Sequence, residues 1–130
     1  MSGCDDAPPA ALLEGIALFN RGEFYECHEV LEDLWRAEPA PVRSLYQGII
    51  QIAVALHHLR HGNWRGAVKL LEAGGGRVAG FQPACRGVDT GALAAAAAAS
   101  LGRLRELGAG KVDEFDWSLA PEIALVAEHG

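Results

Sequence analysis

The stretch that decides the fold is Phe24-Tyr25-Glu26-Cys27-His28-Glu29-Val30-Leu31-Glu32-Asp33-Leu34-Trp35. Leu31 and Trp35 are four residues apart, so they stack on one face of a helix. His28 and Glu32 are also four apart and lie on an adjacent strip, which places a polar pair beside the apolar seam. The stretch therefore predicts an amphipathic helix from about Glu23 to Ala37, with polar side chains along the edge that it buries.

A second helix with a polar stripe follows, from about Val42 to His61. Gln47, Gln51 and His58 share one of its faces. Gln51 lies four residues after Gln47, and His58 lies seven residues after Gln51. Its apolar residues cover more than half of the circumference, so this helix is expected to be central and contacted on several sides. Two helices that each carry a polar stripe beside an apolar one predict a polar cluster between them.

Apolar residues at helical spacing predict three further helices. Their expected bounds are Ala10 to Asn20, Trp64 to Ala73 or on to Val78, and Gly91 to Leu107. Fraying or a bend is expected at Gly74-Gly75-Gly76, because each glycine in a helix costs roughly 1 kcal/mol. Residues 1–8 are expected to form a loose tail, and the apolar segment after Gly108 is expected to wrap over the helices.

A weak internal repeat links the two halves. Gly22 aligns with Gly62 at an offset of 40, and in the same register Leu31 meets Leu71. Both halves read as helix, glycine turn, aromatic residue and leucine, which resembles a tetratricopeptide-type hairpin. We predict an all-α fold of about five helices in one domain spanning residues 1–130. Two antiparallel tetratricopeptide-like hairpins come first, followed by a C-terminal helix and the wrapping tail.

Composition excludes several classes of protein. Apolar residues make up 50% and charged residues 22%, as in ordinary soluble globular proteins. The net charge of −6 argues against nucleic-acid binding, and no apolar run is long enough to span a bilayer. Cys4, Cys27 and Cys85 are an odd number without CxxC spacing, which predicts free thiols in a reducing cytosol. We predict a cytoplasmic protein that binds neither nucleic acid nor membranes.

Seven polar or aromatic residues form the candidate pocket: His28, Glu29, Glu32, Trp35, Gln47, Gln51 and His58. They are interpreted either as a site or as an architectural network in which buried polar groups satisfy one another. A site must open to solvent, whereas a network is expected to be sealed under Trp35 and the central helix. Cys27 is not predicted to act as a nucleophile with His28, because adjacent helical residues point about 100° apart.

A metal ion is the alternative reading of the same cluster. His28, Glu32 and His58 are the candidate ligands, since histidine and carboxylate four apart on a helix can share one cation. The sequence has neither the HExxH nor the paired ExxH signature, so we predict no cofactor and keep a divalent metal as the alternative.

Two functional hypotheses follow from the cluster. In the first, the chain is a binding or interaction module for a small molecule or a protein. In the alternative, it is a metal-dependent, hydrolase-like enzyme that uses His28, Glu29 and Glu32. Neither the partner nor the oligomeric state is predicted by the sequence.

Two sequence blocks resemble the bacterial and archaeal "domain of unknown function 309" family. They read Phe19-Asn20-x-Gly22-x-Phe24-x-Glu26-x-His28-Glu29-Val30-x-Glu32-x-x-Trp35 and Gln47-Gly48-x-Ile50-Gln51-x-Ala53-x-x-x-x-His58. The resemblance covers roughly residues 11–80 and implies a small, all-helical cytosolic protein. The histidines, glutamates, tryptophan and glutamines characteristic of the family match the seven candidate residues, but the resemblance implies no particular activity.

Overall fold

Five α-helices dominate the computed structural model, which describes residues 3–126. They are α1 (Ala10–Asn20), α2 (Phe24–Ala37), α3 (Arg43–Arg60), α4 (Trp64–Ala79) and α5 (Thr90–Leu107). Two short 3-10 segments follow, Ala109–Glu114 and Trp117–Leu119. The β-type pairing within residues 3–126 is limited to isolated bridges, Cys85–Val88 and Val88–Leu125. The predicted all-α class is confirmed.

The first four helices form two hairpins, α1 with α2 and α3 with α4. A glycine with positive φ makes the turn in each hairpin: Gly22 at +80° and Gly62 at +74°. Leu31 and Leu71, which are equivalent in the repeat, are both buried. Each helix packs chiefly on the helices before and after it in the chain. The likeness to tetratricopeptide units is therefore limited to the hairpins themselves.

Helix α3 is central, as its apolar circumference predicted. It packs on α2 at one side and more extensively on α4 at the other. Tyr46, Ile49, Ile52 and Leu56 are completely buried, and they hold α3 in the one hydrophobic core of the described residues. No helix in this part of the chain, α3 included, is long and apolar enough to cross a membrane.

Helix α4 continues through the three glycines, so fraying, one of the two predicted outcomes, is wrong. A methyl group added at Gly74 would lie 2.7 Å from the Gly48 carbonyl oxygen and 2.9 Å from the Cβ of Gln51. The glycine therefore lets the backbones of α3 and α4 approach closely. Packing against α3 offsets the low helix propensity of the glycines, which local sequence alone does not report.

The C-terminal segment wraps over the helices, as predicted. The Asn20 side-chain amide donates to the Ile123 carbonyl at 2.9 Å, and its oxygen accepts from the Ile123 N–H at 2.8 Å. Ser100 in α5 donates to the Leu119 carbonyl at 3.1 Å. Phe115 and Ile123 are buried, so the segment contributes to the core as well as covering it.

The cysteines differ from the prediction of three free thiols. Cys4 and Cys85 form a disulfide across 81 residues of sequence, and only Cys27 is free among the described residues. The prediction used the number of cysteines and their spacing in the sequence. A disulfide needs only that two cysteines lie close together in the folded structure. Disulfides are typical of oxidising compartments, so the cysteines no longer indicate a cytoplasmic location. The location stays a prediction.

The disulfide also anchors the N-terminal segment, which was expected to be loose. The Arg86 N–H donates to the Cys4 carbonyl at 2.8 Å, and the Arg86 guanidinium donates to the Gly3 carbonyl. The same guanidinium reaches the Tyr46 hydroxyl of α3 at 3.2 Å. Residues 3–6 are thus tied to the loop before α5 and, through Arg86, to the central helix.

Candidate functional site

The seven candidate residues lie on two adjacent helices, and none of them is fully buried. Four belong to α2 and three to α3. Glu29 is exposed and the other six are half-buried. The cluster is therefore accessible to solvent at the edge of the core, in contrast to a network sealed beneath Trp35.

His28 and Glu32 contact each other on one face of α2, as their spacing predicted. The Nε2 atom of His28 lies 2.7 Å from a carboxylate oxygen of Glu32, and Arg36 contacts the other oxygen of the same carboxylate. The His28 and Glu32 side chains are 27% and 28% exposed. At that exposure solvent screens the pair, so it orients the imidazole ring more than it stabilises the fold.

Aromatic and cationic side chains line the seam between α2 and α3. At one end the Arg43 guanidinium lies 4.7 Å from the centre of the Trp35 ring, a cation–π contact. At the other end the Tyr25 ring lies 5.8 Å from His28 and 5.9 Å from His57. Tyr25 therefore connects the His28 side chain to the C-terminal turn of α3.

His57 occupies the position beside α2, and His58 turns toward α4. A methyl group added at Gly66 of α4 would lie 2.9 Å from the His58 ring. The Nδ1 atom of His58 is 3.3 Å from the Asn63 amide nitrogen. His58 is rotated by about 100° from His57, because the two are one step apart on the helix. The structure therefore shows no direct contact between His28 and His58. Desolvation, followed by the neighbouring cationic groups, lowers the pKa of His57 below its ordinary value.

Gln47 and Gln51 lie on the half-buried stripe of α3 between α2 and α4. The Cβ of Gln51 packs over Gly74 of α4, and Gln47 lies one turn earlier. Arg43 continues this stripe one turn before Gln47. The spacing Arg43, Gln47, Gln51 is i, i+4, i+8, so the sequence already places Arg43 on the same stripe.

Three buried polar atoms on these two helices have no hydrogen-bond partner. They are the Nδ1 atom of His28, the Nε atom of Arg43 and the Oε1 atom of Gln51. Among residues 3–126, no other buried side-chain nitrogen or oxygen is left in this state. Buried polar groups are nearly always hydrogen-bonded, and an exception calls for a ligand, a water molecule or a functional reason.

The geometry of the described part of the chain does not support the hypothesis of a metal site. No group of three or more histidine, cysteine, aspartate or glutamate side chains there is arranged to hold an ion. His28 and Glu32 supply a pair, and His58 lies toward the other side of the stripe. Cys27 is fully buried, and desolvation raises the pKa of its thiol to about 12. A thiol with that pKa is not a thiolate nucleophile near neutral pH.

A cavity of about 590 Å³ lies away from the seven candidates. It lies between the N-terminal segment and the C-terminal tail, beside the disulfide, and its lining includes Leu13, Pro8 and Leu125. Within residues 3–126, the charged residues of its lining are Asp5 and Asp6. The described lining of this cavity contains none of the three unpartnered polar atoms.

Comparison with known proteins places the site within a family region. Residues 12–70 match the family model described as "Domain of unknown function (DUF309)". The chain is 40% identical over 65 residues to "Uncharacterized protein YpuF" of Bacillus subtilis (strain 168). It is 30% identical over 85 residues to "Uncharacterized protein" of Aquifex aeolicus (strain VF5).

The aligned segments cover part of each protein. They span 48% of this chain and 37% of the Bacillus protein, and 65% of this chain and 26% of the Aquifex protein. The matched region contains α2, α3 and all seven candidate residues. The resemblance to the domain of unknown function 309 family is thus confirmed over residues 12–70.

Proposed function

We propose that the protein is a binding module whose ligand lies on the face shared by α2 and α3. This surface, the α2–α3 polar face, consists of His28, Glu32, Trp35, Arg43, Gln47 and Gln51. Tyr25 and His57 close it at one end. The ligand is a small molecule or a segment of a partner protein, and the net charge of −6 favours neither nucleic acid nor an anionic membrane surface.

The observation that carries this proposal is the set of three buried, unpartnered atoms. A buried donor or acceptor without a partner costs about 1–3 kcal/mol. An architectural network would pair these atoms with one another, whereas His28, Arg43 and Gln51 each leave one atom free. A ligand that donates to Gln51 and accepts from Arg43 would satisfy both atoms on binding.

The length of the face bounds the ligand. Arg43 and Gln51 are eight residues apart on α3, which corresponds to about 12 Å along the helix axis. An extended chain of about four residues has that length. The mixture of donor, acceptor and aromatic groups suits the backbone and one flat side chain of such a segment, or a small molecule of similar length.

A peptide-like probe tests the proposal directly. We expect N-acetylglycine methylamide to shift the NMR signals of His28, Arg43 and Gln51 saturably, in the millimolar range typical of a fragment. The Gln51→Met variant is expected to lose this binding, and Asn63→Ala, altered in the turn before α4, is expected to keep it. Saturable shifts confined to other surfaces, or equal binding by the Gln51→Met variant, would contradict the assignment.

The expected absence of a metal is tested by thermal melting. Zinc, manganese or ferrous iron added to the wild type is expected to leave its melting temperature unchanged, because two ligands do not make a site. The His28→Gln variant serves as the control. A metal-dependent rise in the wild type that disappears in His28→Gln would instead support the metal-dependent alternative, since a ligand of the folded state stabilises it by mass action.

A further inference from the structure

Two arginines near the start of α3 have no carboxylate partner. Arg21, Arg36, Arg86 and Arg105 each form an ion pair. Within residues 3–126, no carboxylate oxygen lies within 4.0 Å of a guanidinium nitrogen of Arg43 or Arg77. Arg60, Arg65 and Arg103 also have no such partner within residues 3–126, so Arg43 and Arg77 are distinguished by their common position beside the first turn of α3.

Both arginines border the same end of the α2–α3 polar face. Arg77 of α4 donates to the Ser44 hydroxyl at 3.0 Å, so its guanidinium lies against the first turn of α3. Arg43, the residue before Ser44, extends to the other side and stacks on Trp35. Gln47 follows one turn later on the stripe between them. The Arg43 and Arg77 side chains therefore both lie at the first turn of α3, one turn before Gln47.

The Arg43 side chain is oriented in advance and incompletely satisfied. Its guanidinium is held on the Trp35 ring, and its Nε atom is buried without an acceptor. A guanidinium fixed in one plane presents parallel N–H groups, which match the two oxygens of a carboxylate or phosphate. Stacking on an aromatic ring leaves the in-plane N–H donors of the two terminal nitrogens available, and these reach solvent, whereas the Nε atom is buried.

The carboxylates of Glu32, in α2, and of Glu38, directly after α2, are already in use. Glu32 is shared by His28 and Arg36. Glu38 lies 3.6 Å from the Arg86 guanidinium and accepts from the Ala40 N–H. Neither carboxylate is paired with Arg43, so a bound ligand can supply the acceptor that its guanidinium lacks within residues 3–126.

We propose that the ligand of the α2–α3 polar face carries an oxyanion, which binds between Arg43 and Arg77 beside Gln47. This inference rests on the proposed function and specifies its ligand chemistry. A carboxylate and a phosphate share that chemistry. The remaining length of the ligand extends along α3 toward Gln51 and His28, whose unpartnered atoms bind its uncharged polar groups.

Three probes test the inference at constant ionic strength: N-acetylglycinate, inorganic phosphate and the neutral N-acetylglycine methylamide. The first and third differ only in a carboxylate replaced by an amide. One of the two anions, N-acetylglycinate or inorganic phosphate, is expected to bind more tightly than the other and is called the preferred anion. We expect the preferred anion to bind at least tenfold more tightly than the neutral probe and to shift the Arg43 Nε–H signal in NMR titrations. A preference for N-acetylglycinate identifies a carboxylate ligand, and a preference for inorganic phosphate identifies a phosphate ligand.

Matched variants separate the site from general charge attraction. Arg43→Lys keeps the positive charge but loses the Nε–H, and Arg77→Gln loses the charge. Each substitution is expected to lower the affinity for the preferred anion at least tenfold. The neutral probe is expected to bind Arg77→Gln as it binds the wild type, and to lose less affinity than the anion in Arg43→Lys, where it loses one hydrogen bond but no ion pair. Arg103→Gln, altered at an arginine of α5 outside the polar face, is expected to change neither affinity. The melting temperature of each variant checks that it folds.

Two results would overturn the inference. One is an anion that binds no more tightly than the neutral probe; in that case the proposed function stands and its ligand is uncharged. The other is an equal loss of anion binding in Arg103→Gln, which would indicate attraction by charge alone. If none of the three probes binds saturably, the proposed function fails together with the inference.

Discussion

Reduction of the Cys4–Cys85 disulfide is expected to lower the free energy of unfolding by about 2–4 kcal/mol. The bond closes a loop across 81 residues, and a loop of that length restricts the unfolded chain enough to stabilise the fold by roughly 4.5 kcal/mol in the chain-entropy account. The expected loss is smaller than this value because residues 3–8 gain conformational freedom in the reduced folded protein, which offsets part of the destabilisation. Urea unfolding with and without dithiothreitol measures the difference.

A double variant controls for the reductant itself. Cys4→Ser combined with Cys85→Ser is expected to unfold at the midpoint of the reduced wild type, in the presence or absence of dithiothreitol. Cys27 is completely buried and is unchanged in this comparison. An identical urea midpoint for oxidised and reduced wild type would show that the disulfide contributes nothing to stability.

Substitution of Gly74 by alanine is expected to destabilise the protein by about 1–3 kcal/mol, the usual cost of overpacking a close contact. The added methyl group would meet the Gly48 carbonyl oxygen at 2.7 Å. That oxygen belongs to the backbone of α3 and cannot move aside as a flexible side chain can. The two helices must separate locally, and the hydrophobic contacts on either side of Gly74 loosen as a consequence.

Gly76→Ala is the matched control for this prediction. It lies two residues further along α4, and an added methyl group there has no atom within 4 Å. Alanine is expected to stabilise at this position by about 0.5–1 kcal/mol through helix propensity alone. Equal effects of the two substitutions on the urea midpoint would show that close helix packing at Gly74 does not determine stability.

Much of the fold could be predicted from apolar spacing, because each helix buries one face against its neighbours. The bounds of α1 were predicted to the residue, and those of α2 and α3 to within one residue. Helix α4 was predicted less well, since glycine propensity is local and the contact of Gly74 with α3 is not. The Cys4–Cys85 bond was missed for the same reason: it depends on which distant segments meet.

The candidate site shows a similar division. The His28–Glu32 pair follows from spacing on one helix and was predicted. The side chains of α3 that face α2 were not predicted correctly, because they depend on how the two helices are rotated against each other. That rotation places His57, and not His58, beside Tyr25. Arg43 was missed because a lone arginine in the first turn of a helix is ordinary until Trp35 is seen beneath it.

The free energy of unfolding of Gln51→Met tests most directly whether the α2–α3 polar face is a binding site or an architectural network. Methionine keeps the unbranched stem that packs over Gly74 and removes the unpartnered Oε1 atom. If that atom awaits a ligand, the ligand-free variant is expected to be as stable as the wild type, or about 1 kcal/mol more stable.

Asn63→Ala provides the scale for this measurement. The Asn63 side chain caps α4 by accepting from the Gly66 N–H at 2.9 Å, so its loss is expected to cost about 1 kcal/mol. In urea melts of the three proteins, our account predicts that only Asn63→Ala shifts to a lower midpoint. A loss of about 1–2 kcal/mol in Gln51→Met would show that Gln51 is bonded within the fold, and it would contradict the assignment of a binding site.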